Sequence, residues 1–335
     1  MTKTDEKIGI ILINIGSPAS PDPSDIKPYL LEFLSDRNLI KVPHVVWLPI
    51  LKGIICRTRP KKTAPRYRSI WTDQGAPLMI HSCAQRDALN ARFAQEGIPF
   101  VTEIGMRYGS PSIDEAMTTL EAQGCHTLIA LPLFPQTAFC TVKTCKEKTL
   151  EVAPLHPASQ VQVIEGYADN PLYIQALADS IKEAWTYAPG NKLLFTFHSV
   201  PLSDIEAGDT YLEQVEKSIR DTTHLLAIPE EDWAIAYHSR FEDSRAWVAP
   251  HPKTILSQWV HEGANRVAVV TPGFAADCLE SLYDVDLIER EYFAHICDAR
   301  GLNPDFTYIP ALNSRADHID LLYAVIMDYY HKLQN

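Results

Sequence analysis

Several large protein classes are excluded by what this chain does not contain. It has no G-x-G-x-x-G and no G-x-x-x-x-G-K-[ST], and only 14 glycines in 335 residues. A dinucleotide fingerprint or phosphate loop is therefore disfavoured. No G-x-S-x-G occurs, which removes the usual α/β-hydrolase reading, and no H-E-x-x-H or clustered ligand triplet marks a zinc site. No run of eighteen apolar residues is present, so no segment reads as a membrane span. The opening MTKTDEKIG passes from polar residues straight into a strand, without the apolar core of a secretory signal. The cysteines at 56, 83, 125, 140, 145, 278 and 297 are odd in number, scattered and never spaced C-x-x-C. They suit a reducing compartment better than a disulfide framework, so the expected location is cytoplasmic. Cys140 and Cys145 read as free buried thiols or as a weak metal or redox pair. A formal charge of −12 argues against general nucleic-acid binding.

What is present is an alternation of short apolar runs and helical patterns. Runs at 7–15, 99–107, 126–134, 160–164, 192–198, 233–238, 265–271 and 305–309 read as strands buried on both faces. Helical periodicity fills the intervals, notably 24–34, 80–96, 111–123, 171–187, 209–226, 253–263 and 277–298, with a terminal helix from about 315. This is an α/β pattern of parallel sheets flanked by helices. The length and the 165–175 break (GYADNPLY) favour two doubly wound lobes. The predicted division is 1–167 with a lip at 38–68, then 168–304 carrying His198 and Glu280, then 305–335 as a terminal strand and helix packing back on the first lobe. Faint internal echoes point the same way: ILINIGSP resembles LLFTFHSVP, and ALPLFPQ resembles VVTPGFAAD. Each is an apolar strand ended by a Pro-containing turn. Ligands of open α/β sheets bind beyond the carboxyl ends of strands, and between lobes when there are two.

The stretch 38–62, with prolines at 43, 49 and 60, reads as a long irregular segment. Lys52 to Arg68 holds seven basic residues and no acidic one, just after the apolar VPHVVWLPIL of 42–51. That juxtaposition suits an amphiphilic anion or an anionic membrane surface. It equally suits a solvated loop over a hydrophobic satellite cluster.

Two further stretches can carry chemistry. LLFTFHSVP delivers His198 at the end of an apolar strand, and VVTPGFAADCLESLY leads into a helix bearing Asp277, Glu280 and Asp284 at i, i+3 and i+7, along one stripe. Each has a plain reading: His198 as a satisfied core residue, Asp277 as a helix cap. Glu280 lies among Leu279, Leu282 and Tyr283, where an unpaired carboxylate is costly.

Taken together, FTFHSVP and TPGFAADCLESLYDVD resemble the active-site signature of the ferrochelatase family, whose members insert ferrous iron into a porphyrin to make haem. ILINIGSP, FLSDRNLI, RYRSIWTDQGAPLM, MRYGSPSIDEAM, LPLFPQ, YHSRFEDSRAW and YIPALN resemble further blocks in the same order. The resemblance implies a chelatase-like fold, two Rossmann-like lobes clasping protoporphyrin IX, in an enzyme of haem biosynthesis. It implies His198 as proton acceptor and Glu280 as its partner in receiving iron, with Asp277 and Asp284 as an acidic track. It sets Ile15, Tyr108 and Trp247 along the macrocycle with Arg107 near it, and Arg59 and Tyr67 on the propionates. The lip at 42–68 would touch a membrane peripherally.

Departures from the family pattern include Ala76 for serine, His238 for glutamine, Glu242-Asp243 for Gly-Pro, and two cysteines in a loop that is usually Ser/Thr-rich. No cysteine follows Cys297, so no C-terminal iron–sulfur cluster is expected, nor any tightly bound cofactor. A coproporphyrin-specific relative would carry tyrosine at Ile15 and a shorter lip. A non-catalytic tetrapyrrole carrier would share the cleft without turnover.

Overall fold

The computed structural model describes residues 7–241 and 243–334; Glu242, one of the departures above, lies outside them. Among the described residues the eight apolar runs become eight strands: β1 (Lys7–Asn14), β2 (Phe100–Met106), β3 (Cys125–Pro132), β4 (Gln160–Val163), β5 (Lys192–His198), β6 (Trp233–His238), β7 (Arg266–Val270) and β8 (Asp305–Ile309). They form two four-stranded sheets, ordered β2-β1-β3-β4 and β6-β5-β7-β8, with every adjacent pair parallel. The orders are topologically identical. The echoing segments fall on equivalent strands, β1 with β5 and β3 with β7, so the resemblance within the sequence follows the repeat in the fold.

The chain divides into two units, one reaching Gly166 and resuming at Ser314, the other spanning Tyr167–Asn313. The expectation that a terminal strand packs with the first lobe is corrected. β8 pairs with β7 from Arg266↔Asp305 to Val270↔Ile309 and completes the second sheet. Only the helix Ala316–Gln334 joins the first unit, where Tyr323 and Tyr330 pack on Phe93 and Phe100.

Within the first unit β1 is buried from Ile8 onward. Ile11, Ile13, Leu128 and Ala130 meet Ala116, Met117 and Leu120 of the helix Ile113–Ala122. Ser112 and Glu115 start that helix with a reciprocal capping box, Glu115 N donating to Ser112 Oγ (3.1 Å) and Ser112 N to Glu115 Oε2 (2.6 Å). In the second unit Leu194, Val267 and Val269 pack on Leu256, Trp259, Phe293 and Cys297. Each fully buried aliphatic or aromatic side chain contributes about 1.5–3 kcal/mol.

The lip is helical rather than irregular. After α1 (Pro23–Ser35), α2 covers His44–Ile50, a π-helical turn covers Leu51–Ile55, and α3 covers Cys56–Ile70. Prolines remove one ladder bond each but do not end the segment. The carbonyls that Pro49 and Pro65 leave without a donor belong to Val45 and Lys61, both exposed residues, whereas that of Pro60 belongs to Cys56, which is buried. The lip is tied at its base: Trp47 Nε1 donates to Leu34 O (2.6 Å), and His44 Nε2 lies 2.9 Å from Ser35 O, at the end of α1. Among the described residues no helix is long and apolar enough to cross a membrane.

Candidate functional site

Two of the four inner strands, β1 and β5, each end in a chemically distinctive cluster. At the end of β1, Arg107 N donates to Asn14 O (2.8 Å) and Tyr108 N to Ile15 O (3.1 Å), extending the β1–β2 ladder beyond both strands. The chains then touch at Gly16, where φ is +99° and a Cβ would stand 1.9 Å from Tyr108 O. Only glycine fits there.

Arg107 and Tyr108 converge on Asp36, in the turn between α1 and the lip. The Arg107 guanidinium pairs with Asp36 Oδ2 and lies 4.3 Å from the Tyr108 ring centre, while its Nε donates to Thr144 Oγ1 (2.7 Å). Tyr108 OH donates to the same carboxylate (2.8 Å), Thr144 Oγ1 donates to it too, and Asn38 N reaches Oδ1 (2.7 Å). Burial pushes the Asp36 carboxyl up. The bond from Thr144, the Arg107 charge and the other donors outweigh it and hold the group below its ordinary value.

These contacts correct part of the porphyrin reading. Tyr108 is 0% exposed, its phenol pushed far above its usual range mainly by burial, so it offers a ligand no surface here. Its periodicity and aromatic character are equally those of a core residue supporting a polar network. Arg107 is largely covered, with its guanidinium taken by Asp36 and Thr144. Tyr67 is buried beside Trp71. Ile15 and Arg59 are half-buried, and Arg59 has no ion pair among the described residues. A cavity of about 770 Å³ opens in this unit beyond Ser17 and Gly109, lined by Trp71, Ala76 and Met79 but also by Asp25, Glu32, Asp114 and Glu115. With four carboxylates and no lysine or arginine on its wall, it is unsuited to a dianionic ligand. None of the six residues assigned to porphyrin lines it.

At the end of β5 stands His198, half-exposed, directly opposite His238 at the end of β6. Its Nδ1 lies 2.7 Å from Ser199 O. A carbonyl only accepts, so Nδ1 carries a proton, and in the neutral ring Nε2 is the nitrogen with the lone pair. The following residues are pinned by Ser199 Oγ donating to Val248 O (2.9 Å) and by a Pro201–Trp247 bridge. That bridge places Trp247, half-buried, with its indole N–H on Asp243 (3.0 Å). His238 is 1% exposed. Burial, and then the neighbouring His198 and His251, push it well below the ordinary histidine value.

The acidic stretch follows β7, next to β5 in the same sheet. The expected α-helix 277–298 begins instead as a π-helix, Glu280–Glu289, and becomes α-helical only at Arg290–Asp298. In a helix bonded i to i+5, residues four to five apart stack, so Glu280, Asp284 and Glu289 share a side and Asp277 does not. Asp277 is 4% exposed and accepts from Tyr308 OH (2.6 Å), Asn313 Nδ2 (2.8 Å), Ser281 Oγ (3.0 Å) and Ala311 N (3.3 Å). It ties the turn after β7 to the segment after β8 and is no part of an open track. Asp284 is half-buried and accepts from Ser239 Oγ. Glu280 is half-buried on the first π turn. Its carboxylate, after burial, is the main reason the Cys278 thiol beside it stands well above its usual value.

Two residues escaped sequence reasoning. Asp36 sits in a polar turn without periodicity, and Glu289 looks like one of many helix-surface acids. Glu289 is 3% exposed, with Oε2 unpartnered among the described residues, and burial above all pushes its carboxyl to about 7. The folded state therefore holds a proton that the unfolded chain releases at lower pH, so stability falls as pH rises between the two values. Glu289→Gln is expected to stabilise the protein at pH 8 by about 2–3 kcal/mol and to gain almost nothing at pH 4. Thermal melts at both pH values decide this; an equal gain at both would remove the titration as its cause.

Two parallel sheets of identical strand order, no dinucleotide fingerprint, and an imidazole and a carboxylate beyond neighbouring strand ends are the features of a chelatase-type protein. Solved structures agree on the fold: SirB from Bacillus subtilis with Fe3+ aligns with a TM-score of 0.59 over 96% of this chain and 95% of that one, at 11% identity. The sirohydrochlorin chelatase SirB from Bacillus subtilis subspecies spizizenii in complex with cobalt gives 0.54 over 96% and 94%, at 12% identity. The chain belongs to the ferrochelatase family, whose sequence profile matches residues 7–329. It is 37% identical to the ferrochelatase of Proteus mirabilis over 98% of this chain and 99% of that protein, and 36% identical to that of Azoarcus sp. over 94% and 86%. It is an enzyme that inserts metal into a porphyrin, with ferrous iron and a porphyrin as substrates, in haem biosynthesis.

Proposed function

We propose that the porphyrin is protoporphyrin IX and that the product is protohaem. The supporting observation is His198 at the carboxyl end of β5, its Nδ1 engaged by Ser199 O and its Nε2 left with a lone pair. Metalation requires two pyrrole N–H protons to leave as the divalent ion enters. A neutral imidazole accepts such a proton at neutral pH. Glu280 supplies a carboxylate for ferrous iron, a cation content with nitrogen and oxygen donors, and Asp284 continues along the same side of the π-helix. No resident cofactor or iron–sulfur cluster takes part in this scheme.

Ile15 and Trp247 contribute apolar surface to the macrocycle. Arg59 binds a propionate, since a half-buried guanidinium without an ion pair suits a carboxylate. Arg59→Ala is expected to raise KM for porphyrin about tenfold, the worth of one charge-assisted bond, with kcat nearly unchanged. An unchanged KM removes the propionate role. Ile15 and the long lip favour protoporphyrin over coproporphyrin, which a steady-state assay with ferrous iron and each porphyrin tests directly. More than one haem per protein molecule separates an enzyme from a carrier.

The lip also supports peripheral contact with an anionic membrane. Val45, Val46, Ile50 and Ile54 are exposed at 82%, 54%, 41% and 62%. Lys52, Arg57, Lys61 and Lys62 stand exposed close to them in the chain. Apolar insertion with flanking cations suits a surface-bound helix.

A further inference from the structure

His238 is anomalous for a buried residue. Its Nδ1 lies 2.8 Å from Thr196 Oγ1, but its Nε2, also buried, has no hydrogen-bond partner among the described residues. Leaving such a nitrogen unsatisfied is costly, so its retention calls for a use. The ring stands 6.0 Å from that of His198, centre to centre, in a T-shaped arrangement. The Phe274 ring lies 5.9 Å away on a third element. The two histidines are treated alike: each is held through Nδ1 by an oxygen, and neither Nε2 has a hydrogen-bond partner among the described residues. Imidazoles that ligate metals are oriented in this way, with one nitrogen on an outer oxygen and the other on the ion. Two rings sharing one ion tetrahedrally at about 2.0–2.1 Å per bond have centres roughly 5 Å apart, so closing these rings by about 1 Å brings both onto one ion.

We infer that His198 and His238 together form a two-imidazole station that holds the incoming divalent metal before insertion; it rests on the reading of His198 given above, whose Nε2 accepts a pyrrole proton only once the ion has left. His198 is half-exposed and His238 is not, so an ion arriving from water meets His198 first and is then shared with His238. Among the described residues no group of three or more His, Cys, Asp or Glu forms a closed metal site. Two protein ligands leave coordination positions open, which suits an ion that must be passed on. Two neutral nitrogens also favour cobalt, nickel, copper and zinc over ferrous iron, so these metals should compete for the station.

The test uses the full chain without porphyrin and one equivalent of Cu2+, with pulsed EPR counting the remote nitrogens of bound imidazoles. Two are expected in the wild type, one in His238→Gln and one in His198→Ala. Co2+ affinity, measured by chelator competition, is expected to fall at least tenfold in His238→Gln. A single imidazole in the wild type overturns the station without any variant having to fold. Two imidazoles that persist in His238→Gln overturn it as well. If the wild-type count is one and is lost in His198→Ala, only this inference fails; if His198→Ala changes nothing, the metal role of His198 fails with it.

Discussion

Replacing His198 by alanine is expected to lower the rate of metal insertion at least about 10³-fold, in the range of a lost general base, while porphyrin binds within about threefold of the wild-type affinity. The separation follows from the geometry. The imidazole is presented by the last residue of β5, and among the described residues its ring makes one hydrogen bond, to Ser199 O. Deleting it removes the lone pair but none of the surrounding ladder, because Ser199 N on His238 O (2.8 Å) and Ser199 Oγ on Val248 O are untouched. Insertion of ferrous iron under anaerobic conditions measures the rate, and fluorescence titration with porphyrin measures binding. Retained turnover would refute His198 as the proton acceptor. Loss of both turnover and binding would instead mark it as a substrate-holding residue.

Asp36→Ala is expected to destabilise the protein by about 3–5 kcal/mol, the usual cost of stripping one partner from a buried charge pair. Asp36 and Arg107 have only 4% and 12% of their side chains exposed, and the substitution strands Arg107, Tyr108 and Thr144 at once. For a unit of this size the melting temperature falls by roughly 10 °C. Asp36→Ala with Arg107→Met should recover much of the loss, because the uncompensated charge is gone. A melt of the double variant no better than the single one would show that the ion pair is not the source. The pH dependence has a definite sign. The Asp36 carboxyl is depressed in the fold, so its contribution is complete above the ordinary value of 3.8 and is lost as pH falls through the lower folded value. Because Asp36 also precedes the lip, whose base is tied to α1 by Trp47 and His44, the same variant should loosen α2 and α3.

The strands were legible because most are short apolar runs between polar segments, and all eight stretches became strands. The helices that obey a 3.6-residue period were legible for the same reason. Two stretches were not. The π-helix Glu280–Glu289 has no sequence period of its own, so the acids were aligned on an α-helical stripe that included Asp277. The lip carries proline at positions that usually end helices, yet the segment remains helical through Pro49, Pro60 and Pro65.

For the site, the residue types and their places at strand ends could be read from sequence alone. Hydrophobic period and Pro-containing turns fix where a parallel strand stops, and His198 and the stretch bearing Glu280 follow from that. The partners of each polar group could not be read, since hydrogen bonds join residues as distant as Asp36 and Thr144, or Asp277 and Asn313. Composition and periodicity thus determined the two α/β lobes, and the resemblance to the ferrochelatase family supplied the chemistry on offer. Tertiary structure alone decided that Arg107, Tyr108 and Asp277 are spent on internal networks, because burial and pairing depend on contacts that local sequence does not encode.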